Sequence, residues 1–99
     1  MGPGFEALIE YDPVKDVENI RKHGFPLETA LLLFDGPFVE EVDSREDYDE
    51  TRFIAMGPMP QFGSRIFVVV YTWREAVRRI ISFRKANDRE IRKYDSSLT

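Results

Sequence analysis

The sequence of 99 residues contains no cysteine and only one histidine. Without cysteine, disulfide bonds and thiolate metal sites are excluded. The chain also lacks an apolar run near the ~20 residues that span a bilayer. Its first four residues, Met1-Gly2-Pro3-Gly4, have neither the basic nor the apolar region of a signal peptide. We therefore expect a cytoplasmic protein whose residues 1–4 are flexible or a remnant of cloning.

The length of 99 residues predicts one domain that spans residues 1–99. A chain of this size buries roughly 60–65% of the surface that it exposes when unfolded, which is enough for one core. Hydrophobic residues make up 42% and charged residues 32% of the sequence, as is ordinary for a globular protein.

The formal net charge is −4, which by itself does not favour a nucleic-acid partner. The charge is unevenly distributed, however, because residues 1–50 carry a balance of −10 and residues 51–99 a balance of +6. A basic second half is typical of a surface that contacts phosphates. The alternative is that the two halves neutralise one another in salt bridges.

The first third of the chain predicts a strand and two helices. The strand covers residues 5–11, and Asp12-Pro13 is a typical helix start, with Asp12 as the cap. Apolar residues follow at helical spacing, at Val14, Val17 and Ile20, and Gly24 ends the helix. A second helix begins near Pro26 and ends at residues 35–37.

The rest of the chain predicts four strands and a last helix. The strands cover residues 38–42, 52–56, 66–72 and 77–84, with turns at 57–64 and near 74–75. The third strand is apolar throughout, so we expect it at the centre of a sheet covered on both faces. Asn87 and Glu90 have the spacing of a capping box, which starts the final helix. Short links between consecutive strands indicate mostly antiparallel pairing, and hence an α+β domain.

Four segments, taken together and in this order, resemble the motifs of the BrnT toxin family. They are Tyr11-Asp12-Pro13 with Asn19 and Lys22-His23-Gly24; Phe34-Asp35-Gly36-Pro37; the run from Asp47-Tyr48-Asp49-Glu50 through Thr51-Arg52 to Gly57; and Arg79-Ile80-Ile81-Ser82-Phe83-Arg84-Lys85-Ala86 with Arg89-Glu90 and Tyr94. The similarity extends from about Ile9 to Tyr94. The chain differs from the usual family pattern at Glu75, where a Gly is common, and at Tyr48, which lies where many members have a His.

The resemblance implies a RelE-like ribonuclease fold, with helices against a curved antiparallel sheet. It implies a toxin of a type II toxin–antitoxin system that cleaves RNA without a metal or cofactor. The implied partner is a cognate, BrnA-like antitoxin with a DNA-binding module. Operator DNA would then be bound only through that antitoxin, and no membrane is involved.

Metal-free RNA cleavage needs a base for the 2′-hydroxyl, cations at the scissile phosphate and a proton for the leaving oxygen. Arginine suits the second task because its planar fork donates two hydrogen bonds to a phosphate. Arg52 and Arg84 are the leading candidates. Arg79 ranks lower as a substrate-binding residue, because five residues separate it from Arg84 and a regular strand would place the two on opposite faces. A bulge would change that relation, but the sequence alone does not support a pair on one face. The alternative for each of the three arginines is the role of a structural ion-pair partner, most obviously of Glu50.

Glu50 is the preferred general base or orienting group, because it precedes Arg52 by two residues and shares its strand face. A plain salt bridge is the alternative. His23 is a candidate acid or base, or a cap for the first helix, and Lys22 is a candidate phosphate ligand with the same structural alternative. Tyr94 is a candidate for stacking on a base, although its spacing favours packing.

Two functions follow, and they belong to different classes. The first is a ribonuclease toxin neutralised by its antitoxin. The second is a non-catalytic interaction module in an autoregulatory repressor complex. A metal site is not predicted, because the acidic residues of 40–50 lack the spacing of a calcium loop. These acids are expected to form a solvated face or a docking surface for a basic antitoxin segment.

Overall fold

The computed structural model describes residues 9–45 and 47–98. The elements are β1 (Ile9–Tyr11), α1 (Pro13–His23), a 3₁₀ turn (Leu27–Thr29) that continues into α2 (Ala30–Phe34), β2 (Val39–Val42), β3 (Arg52–Met59), a 3₁₀ turn (Pro60–Phe62), β4 (Arg65–Arg74), β5 (Val77–Lys85) and α3 (Asp88–Ser97). This order confirms the predicted series of strand, two helices, four strands and helix. The expectations for residues 1–4 and for the start of the first strand lie outside the described residues.

The strands form one five-stranded sheet in the order β1-β5-β4-β3-β2. β1 pairs with β5 in parallel, and every other neighbouring pair is antiparallel. The α+β class is therefore confirmed. β4 lies at the centre, and its residues 67–72 are all buried, which confirms the prediction of a strand covered on both faces.

The two faces of the sheet are covered by different helices. The 3₁₀ turn and α2 pack on one face and form the larger core, whose buried members are Leu27, Ala30, Leu33, Ala55, Met59, Phe67, Val69, Tyr71, Ile80 and Phe83. On the other face, Tyr94 of α3 packs against Met56 and Val68. In the part of the chain that the structure describes, no helix is long and apolar enough to cross a membrane.

α1 begins and ends where the sequence predicts. The Asp12 side chain accepts a hydrogen bond from the Val14 amide at 2.8 Å, and Gly24 ends the helix with φ of 85°. The buried side chain of α1 is the polar Asn19. It forms hydrogen bonds with the backbone carbonyl and the backbone amide of Phe83, at 2.8 and 3.1 Å. These bonds pair backbone groups of β5 that lie beyond the last residue pair between β1 and β5.

The predicted turn over residues 57–64 begins too early, because Gly57 and Pro58 belong to β3. Gly57 packs closely against Pro37, because a Cβ atom added to Gly57 would lie only 2.7 Å from the backbone carbonyl oxygen of Pro37. Pro58 pairs with Ile66 of β4, beyond the last pair between β2 and β3 at Met56. A strand tolerates proline where it is paired on one side only, so glycine and proline here serve packing rather than a turn.

Candidate functional site

A β-bulge in β5 sets the directions of two predicted arginines. Across β4, Arg79 lies opposite Thr72 and Arg84 lies opposite Val68, with Ile81 as the extra residue between them. Thr72 and Val68 are four residues apart on one strand and so face the same way. The expectation that Arg79 and Arg84 point to opposite faces is therefore wrong, because the bulge inserts one residue into the alternation.

Arg52 joins them on this face. It lies opposite Thr72 from the β3 side, as Arg79 does from the β5 side. Arg52, Thr72 and Arg79 thus form a row across three strands, which we call the arginine row. Neighbouring strands lie ~4.8 Å apart, so the two arginine backbones are ~10 Å apart.

Each arginine of the row has one carboxylate partner. Nε of Arg52 donates to Glu50 at 3.3 Å, and one terminal nitrogen of Arg79 donates to Glu10 at 2.7 Å. Both arginine side chains are 27% exposed. Among the described residues, no other hydrogen bond from these two side chains is found, so each arginine keeps donor N–H groups without a protein acceptor.

A buried carboxylate, that of Asp43, is linked to Arg52 through the side chain of Tyr48. The guanidinium of Arg52 lies 4.1 Å from the ring centre of Tyr48, whose hydroxyl donates to Asp43 at 3.2 Å. The Asp43 side chain has no exposed surface and receives two hydrogen bonds of 2.8 Å from Arg45. The hydrogen bonds from Arg45 lower the pKa of Asp43 to about 2. Sequence reasoning missed this contact chain, and its only signal was an Asp and an Arg two residues apart in an acidic segment.

Arg84 is held by a different element. Both of its terminal nitrogens donate to the Glu90 carboxylate at 2.8 Å, and Glu90 also accepts from the Asn87 amide in the predicted capping box. The hydrogen bonds from Arg84 lower the pKa of Glu90. The ion-pair alternative is thus present at Arg84, with Glu90 rather than Glu50 as its partner.

His23 and Lys22 lie in the last turn of α1, near Arg84. Partial burial lowers the pKa of His23, and the positive charges of Arg84 and Lys22 lower it further. The lowered pKa favours the neutral form of His23, which can accept a proton. Beside these residues runs a groove of about 150 Å³ between α1 and β5, lined by Lys15, Glu18, Asn19, Lys22, His23, Ile81 and Ser82.

The predicted site residues thus fall into two groups. Glu50 and Arg52 meet Arg79 at the arginine row, whereas Arg84 lies with His23 and Lys22 about four residues further along the sheet, or ~13 Å. Tyr94 belongs to neither group, because it is buried between α3 and the sheet. Tyr94 therefore packs in the core, as its helical spacing favoured, and does not lie where it could stack on an RNA base.

The acidic segment is largely paired within the chain. Glu40 accepts from the Tyr71 hydroxyl, Glu41 pairs with Lys93 of α3 at 2.6 Å, and Asp43 is buried beneath Tyr48. Across residues 9–45 and 47–98, no three His, Asp or Glu side chains are arranged to hold a metal ion. Glu40, Glu41 and Asp43 therefore act as internal partners of basic and hydroxyl groups.

A family model described as "ribonuclease toxin, BrnT, of type II toxin-antitoxin system" matches residues 11–90. The chain belongs to the BrnT family. The fold is similar to that in the 1.1 Å crystal structure of the Brucella abortus ribonuclease toxin BrnT, with a TM-score of 0.56 and 23% identity over 81% of this chain and 96% of the other. No curated protein matches the sequence.

Membership in the BrnT family confirms the resemblance drawn from the four sequence segments. The family comprises ribonuclease toxins of type II toxin–antitoxin systems, so this chain has a cognate antitoxin as its partner. The Brucella structure supports the α+β fold alone, because its sequence identity is low.

Proposed function

We propose that this BrnT chain is an endoribonuclease that cleaves RNA without a metal ion, at the arginine row. The observation that carries the proposal is the row itself. Arg52 and Arg79 project from one sheet face two strands apart, each with terminal nitrogens to spare, and Glu50 is bonded to Arg52. A phosphate needs this kind of paired planar donor, and the 2′-hydroxyl beside it needs a base.

The proposed reaction is a transphosphorylation. Glu50 accepts the proton of the 2′-hydroxyl, and the 2′-oxygen forms a bond to phosphorus. The bond to the 5′-oxygen breaks, and that oxygen takes a proton from solvent. Arg52 and Arg79 stabilise the negative charge that grows on the phosphate oxygens, and the products are a 2′,3′-cyclic phosphate and a 5′-hydroxyl.

Arg84 and Lys22 form a second cationic group along the same RNA strand, with His23 beside them. In the proposal they bind a flanking phosphate, and Arg84 exchanges its Glu90 partner for it. The antitoxin neutralises the chain by covering these groups. It is BrnA-like, with a DNA-binding module through which the complex contacts operator DNA.

The test is cleavage of single-stranded RNA by the purified chain in the presence of excess EDTA, with products analysed for cyclic phosphate ends. Replacing one donor to the transition-state charge, in Arg52→Ala or Arg79→Ala, should lower kcat roughly 10²–10³-fold. Glu50→Gln, which removes the base, should lower it roughly 10²–10⁴-fold. Arg92→Ala, at an exposed arginine of α3, is the matched control and should retain full activity.

Loss of cleavage in EDTA, with recovery on adding a divalent ion, would contradict the metal-independent route. Full activity of Glu50→Gln and Arg52→Ala would move the reaction away from the arginine row. Intact RNA and normal growth on expression of well-folded chain would leave the non-catalytic interaction module as the function.

A further inference from the structure

An apolar strip lies on the solvent side of α1. Val14, Val17 and Ile20 are 70%, 65% and 44% exposed, whereas the polar Asn19 is buried beneath the helix. Residues three apart share a helix face, so the three side chains form one strip ~9 Å long. We call it the α1 stripe. A single exposed apolar residue is ordinary, but a contiguous strip with polar edges marks an interaction surface.

Positive charge borders the α1 stripe. Arg21 and Lys22 follow Ile20 in the last turn of the helix, and both are exposed. Lys15 and Lys22 also line the adjoining groove with His23. A partner that packs on the stripe therefore places its own flanking side chains against cations.

The acids of α1 lie mostly toward its other end, away from Arg21 and Lys22. Asp12 accepts from the Val14 amide at 2.8 Å, and Asp16 accepts from the Leu27 amide at 2.7 Å, so both carboxylates are directed to backbone groups. Glu18 is the remaining acid of the helix, and it lies 4.0 Å from Arg21. The last turn of α1 thus favours acidic side chains in a partner that packs there.

We propose that the α1 stripe is the docking surface for the cognate antitoxin. The antitoxin contributes an amphipathic segment whose apolar side chains cover Val14, Val17 and Ile20 and whose acids meet Arg21 and Lys22 in the last turn of the helix. Family membership identifies an antitoxin as the partner. The cations at the end of the stripe indicate that the antitoxin segment carries acidic side chains. A segment seated here also reaches the groove that holds His23, so docking covers the second cationic group; this consequence alone rests on the proposed function.

Calorimetric titration of the full chain with the purified product of the adjacent antitoxin gene tests the proposal. Val17→Lys removes the apolar contact but keeps a favourable charge, and we expect Kd to rise about tenfold. Val17→Glu also removes the contact and repels an acidic segment, so its Kd should rise several times further. Val42→Glu is the matched control, because Val42 is 56% exposed on β2 and outside the stripe. Each variant's thermal unfolding is measured alongside.

Three results would overturn the proposal. Unchanged affinity for both Val17 variants would remove the stripe from the interface. Stronger weakening by Val42→Glu would place the antitoxin on the acidic β2 side. If ultracentrifugation shows a dimer that Val17→Glu dissociates while antitoxin affinity is unchanged, the stripe joins two copies of the chain. Because binding is measured without RNA, a chain that binds as expected but does not cleave would contradict the proposed function alone.

Discussion

Asp43 couples the acidic loop to the arginine row. Its carboxylate is fully buried, receives two hydrogen bonds from Arg45 and accepts from Tyr48, whose ring supports Arg52. Removing one partner of such a contact chain leaves a buried polar group unsatisfied. We therefore regard Asp43 as a positioning residue for Arg52.

The acid stability of the protein should depend on Asp43. Its pKa is about 2 in the folded chain against an ordinary 3.8, so the folded state binds a proton less readily than the unfolded state. The stabilisation is complete above about pH 4 and disappears as the pH falls towards 2, and it amounts to about 2 kcal/mol. Chemical denaturation should show Asp43→Asn less stable by that amount at pH 7 and nearly equal to wild type at pH 2.

The exposed Asp49 of the same loop provides the comparison. Asp49→Asn should change the free energy of unfolding by no more than about 0.5 kcal/mol at either pH. A deficit of Asp43→Asn that is the same at pH 2 as at pH 7 would show that the ionised carboxylate is not the source of the stability.

Glu75 has a backbone conformation that favours glycine. It lies in the two-residue turn between β4 and β5 with φ of 58°. A side chain in this region costs roughly 1–2 kcal/mol, and the extra freedom of an unfolded glycine offsets roughly 0.5–1 kcal/mol of that. Glu75→Gly should therefore raise the free energy of unfolding by about 0.5–1 kcal/mol in urea denaturation.

Ala76 is the control for this turn, because its φ is not positive. Ala76→Gly should lower stability, since it adds unfolded-state freedom without relieving strain. Equal effects at both positions would mean that strain at Glu75 is not the reason that a glycine suits this turn.

Individual capping residues were predictable because their chemistry is local. Asp12, Gly24 and the pair Asn87 and Glu90 act on backbone groups within four residues, and the sequence displays that spacing directly. Asp43 was not predictable as a buried group, because its burial depends on Tyr48 folding back over it. A carboxylate in an acidic loop otherwise favours a solvated surface.

At the scale of elements, Asn19 attaches α1 to the sheet. Its amide donates to the carbonyl groups of Phe25 and Phe83 at 2.8 Å, and its oxygen accepts from the Phe83 amide at 3.1 Å. Asn19→Ala leaves these buried backbone groups unpaired, at a cost of about 3 kcal/mol. Urea denaturation should show that loss, and hydrogen exchange should show faster opening of the Phe83 amide.

The adjacent Glu18 is exposed on the same helix and serves as the control. Glu18→Ala should stay within about 0.5 kcal/mol of wild type, since it alters helix propensity only slightly. If Asn19→Ala were equally mild, α1 would be held by other contacts, and the hydrogen bonds to β5 would be incidental.

The order of elements was predictable, but the directions of two key side chains were not. Apolar periodicity depends on which residues a strand or helix contains, and together with the capping signals it predicted the five strands and three helices found among residues 9–45 and 47–98. The bulge at Ile81 depends instead on how β5 pairs with β4 at one position, and it reverses the relation between Arg79 and Arg84. The exposed α1 stripe has the spacing of a core face, which is why periodicity alone does not reveal it as a surface.

Over the whole molecule, the uneven charge distribution has both of the anticipated consequences. Glu10 with Arg79 and Glu41 with Lys93 are ion pairs between the acidic and basic halves. At the same time, three arginines of the basic half, Arg52, Arg79 and Arg84, share one sheet face. The net charge of −4 repels RNA at long range, so any attraction must arise locally at this face.

A negative net charge combined with a small basic face predicts a modest salt dependence of RNA binding. If Arg52, Arg79, Arg84 and Lys22 each neutralise one phosphate of a single strand, the plot of log K against log salt concentration should have a slope of about −3. Arg52→Ala should reduce the magnitude of the slope by roughly 0.7, because one fewer counterion is released. Fluorescence anisotropy with a labelled RNA and the Glu50→Gln chain measures binding without turnover. Arg92→Ala should leave the slope unchanged, and a slope near zero for the parent chain would contradict phosphate binding at this face.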